Sequence, residues 1–418
     1  MFRSFLACTF LTALAAAPGL ADTPASNRAS NPASNPASSS ASNSASSSAS
    51  GSASSSAPSA ASTPIPTAPA VDARAYIVVD YRTDKILAAK DAVARVEPAS
   101  LTKLMTAYIV FQELAAGKLK LEEQVTVSEH AWRSEGSRTF IELGKPVSVE
   151  DLILGMIVQS GNDATIALAE RIAGTEETFA QMMNANAKRL GMVGSHFENS
   201  SGLPSPQHYT TARDLSLLAN AMIREYPQYY KWFSVREFEH NGIKQQNRNG
   251  LLEKDPTVDG LKTGHTDSAG YCLVTSSLRD GMRLVSVVMG STSMKARETA
   301  SAALLNYGFT FYDTILAVKG GAVLASARVW KGQSASVDLG IKDDLYITLP
   351  RGEAGGIKTA ADVPPRLVAP LAADAVIGSV RVFAGGQTLA TVPMHPLQGV
   401  AAGGWWRRLI DTIRLWFA

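Results

Sequence analysis

A serine and a lysine near the first third of this chain have a spacing that suits acyl-transfer chemistry. Ser100 and Lys103 are three positions apart, so in a helix both side chains lie on one face, about one turn apart. The helix dipole favours loss of a proton from a serine in the first turn. A lysine whose pKa is lowered by burial and nearby cations can accept that proton. The pattern predicts Ser100 as a nucleophile and Lys103 as its base.

A second motif, Ser160-Gly161-Asn162, follows one apolar helical stretch and precedes another. The functional interpretation makes Ser160 a proton relay and Asn162 an amide contact to the substrate. The simpler interpretation is a capping serine and asparagine in a turn between helices, which is the commoner role of such residues.

A third motif, Lys262-Thr263-Gly264, begins a region of predicted strands. Lys262 would place positive charge beside both serines, keep Lys103 neutral and help to hold a carboxylate. Gly264 has no side chain and would leave room for a substrate to pair along the strand edge. Each motif alone is weak, since an exposed edge lysine or a helix-capping serine would look the same. Their occurrence together and in this order favours a serine enzyme.

The elements around these motifs alternate between strand and helix patterns. Strands are predicted over 75–80, 86–89, 271–277 and 283–290 from apolar and β-branched runs bounded by turn residues. Helices are predicted from Ser100 to about Ala116, just past Ser160, from the capping box at Thr211 to about 224, and over about 295–307. Strands at both ends with helices between predict an α+β domain, with an antiparallel sheet covered by helices, over 71–318.

The rest of the chain divides into a small domain and a tail. Short strand patterns separated by Gly, Pro and Asp turns predict an all-β domain over 319–398. The tail, residues 401–418, contains three of the six tryptophans. At roughly 100° per residue the apolar side chains of Trp405–Ala418 share one arc and the arginines the other, with Leu415 misplaced. This pattern predicts a helix that lies on a membrane surface. The alternative is a terminal helix docked on the protein.

The beginning of the chain indicates export. Residues 1–21 have a basic start, an apolar run and a small-residue cleavage site, as in a secretory signal peptide. Residues 22–70, rich in Ser, Ala, Asn and Pro, lack the bulky apolar side chains that a fold needs and are predicted to be a disordered tether. Removal of the signal leaves Cys272 as a lone cysteine, predicted to be buried.

Charge and composition argue against several classes of function. The formal net charge of +2 does not suggest a nucleic-acid partner. The six histidines have no metal-ligand spacing and no glycine-rich phosphate loop occurs, so neither a metal nor another cofactor is expected.

These motifs resemble those of the D-alanyl-D-alanine carboxypeptidases of the low-molecular-mass penicillin-binding protein group. The resemblance runs from about Ala75 to Ala418. Four segments carry it: Glu97-Pro-Ala-Ser-Leu-Thr-Lys-Leu-Met-Thr106, Gln159-Ser-Gly-Asn-Asp-Ala164, Asn247-Arg-Asn-Gly-Leu-Leu252 and Val258-Asp-Gly-Leu-Lys-Thr-Gly-His-Thr266. It implies a β-lactamase/transpeptidase-like catalytic domain, a small all-β domain and a C-terminal amphipathic helix. The implied location is the periplasmic face of the cytoplasmic membrane.

The resemblance also implies a reaction. Ser100 attacks the penultimate D-alanine of a peptidoglycan stem peptide, Lys103 takes its proton, and Ser160 protonates the departing D-alanine. Penicillin and other β-lactams would be trapped on Ser100. The residues expected to bind substrate are Asn162, Lys262, Thr263, Gly264, His265, Thr266, Arg248 and Arg297. The backbone N–H groups of Ser100 and His265 would hold the oxyanion. For the two arginines a surface salt bridge is an equally good explanation.

Rival functions within and outside this superfamily remain open at this point. A D,D-endopeptidase would use the same chemistry on a cross-linked substrate. A β-lactamase would need a deacylating carboxylate, for which Asp163 and Glu170 are the candidates. A wall-binding scaffold would keep the fold but lose a motif, whereas all three motifs are intact.

Overall fold

A computed structural model describes residues 65–417 of the chain. The predicted signal peptide and nearly all of the predicted tether lie outside the described residues. Residues 65–70, which the composition assigns to the tether, contact the folded domain. Ile65 and Ala68 pack against a cluster of buried side chains, and the Pro66 carbonyl accepts a hydrogen bond from Tyr307 Oη at 3.0 Å. The folded part therefore begins earlier than predicted.

The first domain contains a five-stranded sheet within the described residues, in the order Ile86–Lys90, Ala75–Asp80, Met282–Ser291, Gly270–Arg279, Val258–Thr266. All four pairings are antiparallel, as predicted. Shorter hairpins are formed by Gln124–Thr126 with Pro146–Ser148 and by Glu237–His240 with Ile243–Gln246. We call Val258–Thr266 the Lys262 strand; it is an edge strand of the five-stranded sheet.

Helices cover both faces of this sheet. Their bounds are Lys103–Ala115, Glu129–Arg133, Val149–Leu154, Asn162–Ala173, Glu176–Arg189, Ala212–Glu225, Pro227–Tyr230, Leu251–Lys254 and Met294–Phe311. Tighter 3-10 turns occupy Ala99–Thr102 and Lys231–Ser234, and a π-helical turn occupies Gly155–Gln159. Each face of the sheet has its own apolar core. Cys272 is buried in the larger core, as predicted.

The helix Lys103–Ala115 passes through that larger core. All residues from Lys103 to Phe111 are buried, so the helix has no solvated face along this stretch. A helix that is buried all round cannot shift without disturbing its neighbours. The residues at its first turn are therefore held in place by the packing of its whole length.

The second domain consists of short strands and begins earlier than the predicted residue 319. The strand Tyr312–Val318, which the sequence pattern assigns to the first domain, pairs along its length with Leu345–Pro350. The remaining strands are Ala325–Trp330, Ser336–Gly340, Lys358–Asp362, Leu367–Val368, Ser379–Ala384, Gln387–Pro393 and His395–Pro396, with a 3-10 turn at Ala354–Gly356. They enclose a separate apolar core.

A buried carboxylate joins the two domains. Asp80 is 0% exposed, and its Oδ1 accepts hydrogen bonds from the backbone N–H groups of Arg82 and Thr83, each at 2.9 Å. Its Oδ2 accepts a hydrogen bond from Thr314 Oγ1 of the second domain at 2.6 Å. Because a buried carboxylate must keep its hydrogen bonds, this contact opposes rotation of one domain against the other.

The chain ends in the helix Trp405–Leu415. Its polar edge faces the second domain, where Asp411 Oδ2 accepts the Lys331 N–H at 2.7 Å. Leu415, which does not fit the predicted apolar arc, is half-buried one turn after Asp411. The apolar arc is exposed, with Trp416 at 84% and Phe417 at 87%. Within residues 65–417, no helix combines the length and apolarity needed to cross a bilayer.

Candidate active site

Ser100 lies in a 3-10 turn that leads into the long buried helix. The turn Ala99–Thr102, here called the Ser100 turn, precedes the helix that begins at Lys103. The α-helix therefore starts three residues later than predicted. Ala99 has a left-handed backbone conformation, with φ of +47°. A Cβ on Gly202 would lie 1.8 Å from the Ala99 carbonyl oxygen, so this contact requires glycine.

Lys103 is 1% exposed and its amine contacts three oxygens. Its Nζ lies 3.0 Å from Ser100 Oγ, 2.7 Å from Asn162 Oδ1 and 2.6 Å from the carbonyl of Ser201. The amide and carbonyl oxygens only accept hydrogen bonds. A neutral amine that donates its two N–H groups to them keeps its lone pair for the Ser100 hydroxyl. The geometry thus suits removal of the Ser100 proton.

The electrostatics of Lys103 favour this neutral form. Burial, followed by the charge of Arg248, lowers the pKa of Lys103 from 10.5 to about 7, while the carboxylates of Glu176 and Asp163 act in the opposite direction. A base with a pKa near neutrality is unprotonated often enough to accept a proton and acidic enough to return it.

The second motif lies between a π-helical turn and the helix Asn162–Ala173. Ser160 ends the π-helical turn in the left-handed region, with φ of +65°. Its Oγ accepts a hydrogen bond from Lys262 Nζ at 2.9 Å. Asn162 begins the next helix, and its Nδ2 donates to the Glu135 carbonyl at 2.6 Å. The amide group of Asn162 thereby joins Lys103 to the loop before the motif.

Lys262 is buried beside the two serines. Its Nζ also donates to the Thr263 carbonyl at 3.0 Å. Burial and then the charges of Lys103, Arg248 and Arg297 hold the pKa of Lys262 well below its usual value. Because these cations share one low-dielectric site, each disfavours the charged form of the others.

Gly264 has a different reason for being glycine than the one expected. A Cβ at this position would lie 3.1 Å from the Leu101 nitrogen and the Pro98 oxygen, and 3.2 Å from the Ser100 nitrogen. The missing side chain therefore brings the Lys262 strand against the Ser100 turn. This contact does not test the prediction that Gly264 leaves room for a substrate along the strand edge.

Two arginines add positive charge to the site. Arg297 is 3% exposed and donates to the carbonyls of Gly264, Cys272 and Arg248 at 3.3–3.4 Å. Its Nε is buried without a hydrogen-bond partner among the described residues. Burial lowers the pKa of both Arg297 and Arg248. For Arg297 this burial argues against the surface salt bridge that the sequence left open, and the charge suits an anionic ligand.

The reactive groups open into a cavity of about 340 Å³. Its lining residues are Ser100, Ser137, Ser160, Arg248, Thr263, Gly264, His265, Tyr271, Met294 and Arg297. Lys103 and Lys262 lie behind these residues and contact Ser100 and Ser160, and Asn162 accepts a hydrogen bond from Lys103. Thr266 does not line this cavity; its Oγ1 accepts the Ala269 N–H at 3.0 Å.

Three lining residues and one carbonyl were missed by the sequence analysis. Tyr271 faces His265 across two paired strands, with ring centroids 4.0 Å apart, so strand alternation was the available signal. Met294 begins the helix that carries Arg297. Ser137 and the Ser201 carbonyl lie in loops, and no local pattern identifies them.

The two carboxylates considered for a β-lactamase mechanism form hydrogen bonds with groups outside the cavity. Asp163 accepts the backbone N–H groups of Thr139, Phe140 and Ile141. Glu170 contacts Ser128 Oγ at 2.6 Å and His130 Nδ1 at 3.0 Å. Neither lines the cavity, so neither is placed to activate water there. Among residues 65–417, no group of three or more His, Cys, Asp or Glu side chains is arranged to hold a metal ion.

Comparison with known proteins gives matches over both domains. The family described as D-alanyl-D-alanine carboxypeptidase matches residues 62–293, and the C-terminal domain of penicillin-binding protein 5 matches residues 312–402. D-alanyl-D-alanine carboxypeptidase DacA of Escherichia coli K12 is 41% identical over 357 residues, which cover 84% of this chain and 89% of that protein.

Solved structures give the same result. Penicillin-binding protein 5 from Haemophilus influenzae is similar with a TM-score of 0.77 and 40% identity, over 80% of this chain and 99% of that one. Penicillin-binding protein D2 from Listeria monocytogenes, in its ampicillin-bound form, is similar with a TM-score of 0.53 and 31% identity, over 57% of this chain and 98% of that one.

Proposed function

Because this chain belongs to the D-alanyl-D-alanine carboxypeptidase family of serine hydrolases, we propose that Ser100 carries the reaction and that Lys103 is its base. The substrate is a peptidoglycan stem peptide that ends in D-alanyl-D-alanine. The observation that carries this assignment is the 3.0 Å contact between Lys103 Nζ and Ser100 Oγ. The other two contacts of that amine are to oxygens that only accept hydrogen bonds.

Acylation is the first half of the reaction. Lys103 takes the hydroxyl proton while Ser100 Oγ attacks the carbonyl carbon of the penultimate D-alanine. The negative charge moves to the carbonyl oxygen, which the backbone N–H groups of Ser100 and His265 stabilise. Asn162 keeps the Lys103 amine directed toward the serine through its 2.7 Å contact.

Collapse of this intermediate breaks the peptide bond. The nitrogen of the departing D-alanine takes a proton from Ser160, which Lys262 Nζ supports at 2.9 Å. The proton that Lys103 took from Ser100 then replaces the one lost by Ser160. Water attacks the ester: its oxygen and one proton stay on the acyl group, which leaves as a carboxylic acid, and its other proton returns to Ser100 Oγ. The lysines return to their starting states, so no cofactor takes part in the balance.

The arginines select a substrate with a free terminal carboxylate. Arg248 and Arg297 line the cavity together with Thr263, and a guanidinium binds a carboxylate in a bidentate geometry. A stem peptide with a D-alanine end satisfies this site, whereas an amidated end does not.

Two measurements on the purified enzyme test this proposal. Brief treatment with penicillin, followed by mass spectrometry, should place the adduct on the peptide that contains Ser100. A pentapeptide ending in D-alanyl-D-alanine should release D-alanine faster than a cross-linked dimer is cut. Ser100→Ala should lose both reactions while keeping the wild-type melting temperature. An adduct on another residue contradicts the assignment.

We also propose that the enzyme works at the outer face of the cytoplasmic membrane, held by its terminal helix. The export signal predicted over residues 1–21 supports secretion. The helix Trp405–Leu415 supports anchoring, since Trp405, Trp406 and Trp416 are exposed while Asp411 contacts the protein. An exposed aromatic arc beside arginines suits the lipid headgroup region.

A further inference from the structure

His208 is a buried histidine outside the catalytic motifs that contacts the Ser100 turn. It is 3% exposed. Its Nε2 lies 2.9 Å from Thr102 Oγ1, and its Nδ1 lies 3.2 Å from the backbone nitrogen of Glu198. A backbone N–H only donates, so Nδ1 must be the unprotonated nitrogen. The proton of the neutral ring is then on Nε2, which donates to Thr102.

The two partners of this ring belong to the two segments that surround the Lys103 amine. Thr102 is the residue before Lys103, in the Ser100 turn. Glu198 opens the segment 198–203, here called the Ser201 loop, whose Ser201 carbonyl accepts a hydrogen bond from Lys103 Nζ at 2.6 Å. One imidazole therefore holds together the turn that carries the base and the loop that supplies one of its acceptors.

The Ser201 loop is closely packed against the Ser100 turn and the helix that follows it. Gly202 lies against the Ala99 carbonyl without room for a side chain, and the Ser200 carbonyl accepts a hydrogen bond from Thr106 Oγ1 at 2.6 Å. Phe197 packs edge-on against the His208 ring, with centroids 5.7 Å apart and planes at 87°. These contacts leave no free space around the Ser201 loop. A shift of the loop would therefore move the Ser201 carbonyl away from the Lys103 amine.

We propose that His208 is a positioning residue for the base: by donating to Thr102 and accepting from Glu198, it sets the Ser201 carbonyl against Lys103 and so directs the amine toward Ser100. This inference rests on the proposed roles of Ser100 and Lys103. Nothing in the reaction requires His208 to exchange a proton with the substrate.

The charges around His208 keep it in the neutral form that these contacts need. Burial lowers its pKa to about 4; Glu198 acts in the opposite direction, and the charges of His196 and Lys103 act in the same direction as burial. An imidazolium would present a second N–H to the Glu198 N–H, and the contact with the Ser201 loop would be lost. At neutral pH the ring therefore keeps one donor and one acceptor.

The test measures acylation by a fluorescent penicillin, per active site titrated, across a range of pH. His208→Phe keeps a ring but removes both hydrogen bonds. We expect its acylation rate constant to fall about 10- to 100-fold, since small misplacements of a catalytic group have effects of this size. Loss of the Ser201 acceptor destabilises the ammonium form of Lys103, so the acidic limb of the profile should move to lower pH.

Two conservative variants separate positioning from simple packing. The side-chain amide of His208→Gln reaches the place of Nε2 and should recover most of the rate, whereas that of His208→Asn reaches only the place of Nδ1 and should stay slow. Thr102→Val should resemble His208→Phe, and the double variant should be no slower than either. His395→Phe, a half-exposed histidine of the second domain, is the matched control and should behave as the unchanged enzyme.

The wild-type acylation rate tests the proposed function separately, and the variants are judged by their ratio to it. A lower melting temperature with an unchanged rate and pH limb in His208→Phe would overturn the positioning role. So would a His208→Gln variant as slow as His208→Asn. If His208→Phe fails to fold, the Gln and Asn pair still decides the question.

Discussion

Three buried cations and the exposed Arg248 meet at one site, and their mutual repulsion adds to burial in lowering the pKa of the lysines. Lys103, Lys262 and Arg297 are almost fully buried, and Arg248 lines the same cavity. Repulsion among them adds to the effect of burial, which is the larger cause of the lowered pKa of Lys103. The site therefore holds about half of Lys103 in the neutral form near pH 7, against the opposing charges of Glu176 and Asp163, and the same cations favour an anionic ligand.

The first prediction concerns the base. Lys103→Arg should fold but acylate at least about 100-fold more slowly, the usual contribution of a positioned base, because guanidinium stays protonated and cannot accept the Ser100 proton. The rate of labelling by fluorescent penicillin measures this. Lys118→Arg, an exposed lysine, is the matched control and should not change the rate. Rapid acylation by Lys103→Arg would mean that another group is the base.

The second prediction concerns the charge of Arg248. Arg248 lowers the pKa of Lys103, so Arg248→Gln should raise that pKa and move the acidic limb of the acylation profile to higher pH. In the unchanged enzyme the rate should reach half its maximum at about pH 7, where half of Lys103 is neutral, and level off about one pH unit higher. Arg248→Lys keeps the charge and should keep the limb in place. A limb unmoved by both changes would contradict this coupling.

The sequence predicts the residue types at the site better than their conformations. Ser100, Lys103, Ser160 and Lys262 meet as their motifs indicate. The left-handed backbone of Ser160 has no sequence signal, since it is imposed by its place between a π-helical turn and the next helix. The sequence also cannot identify main-chain acceptors such as the Ser201 carbonyl, because every residue carries the same carbonyl.

At the scale of elements, the site depends on the contact between the Lys262 strand and the Ser100 turn. Gly264→Ala would place a Cβ 3.1–3.2 Å from backbone atoms of Pro98, Ser100 and Leu101, so the strand must shift from the Ser100 turn by a few tenths of an ångström. We expect D-alanine release to fall about 2- to 10-fold, less than the roughly 100-fold that a 1 Å misplacement costs. Gly355→Ala, where a Cβ meets nothing within 4 Å, is the control. Full activity in Gly264→Ala would show that this contact is dispensable.

Another element-scale prediction concerns the loop that forms the Ser137 side of the cavity. Asp163 is 0% exposed and holds this loop through backbone N–H groups of Thr139, Phe140 and Ile141. Asp163→Asn replaces one acceptor oxygen by a donor and should lower the free energy of unfolding by about 1–3 kcal/mol. Denaturant unfolding measures this. Glu122→Gln, at an exposed position, should unfold as the unchanged enzyme does.

The central elements were predictable and the boundaries were not. Strands over Ala75–Asp80 and Gly270–Arg279 have long apolar runs that packing does not override. Residues 312–318 fall in the predicted first domain because the sequence pattern changes only after Lys319-Gly320-Gly321, whereas the strand Tyr312–Val318 pairs with Leu345–Pro350 of the second domain. Pairing between distant strands decides such a boundary, and periodicity carries no information about it.

For the whole molecule, the terminal helix gives a prediction about location. Deletion of 405–418 should release the enzyme from membranes without changing D-alanine release from a soluble peptide, because the exposed tryptophans supply the buried area. High salt should weaken binding of the full chain only partly, since salt screens the arginines and leaves the apolar contribution. Fractionation with an activity assay measures both. A soluble but inactive truncated form would mean that the helix is part of the fold.

The hydrogen bonds of Asp80 across the domain boundary bear on the distance between the cavity and the membrane. Thr83 and Lys85 of the first domain also contact Thr348 of the second. These contacts hold the second domain in a fixed orientation, so it does not act as a flexible linker. With the terminal helix on lipid, as proposed above, the cavity would stand at one height above the bilayer. The enzyme would then cleave only stem peptides of the wall layer at that height, and the spacing between wall and membrane would decide which peptides escape it.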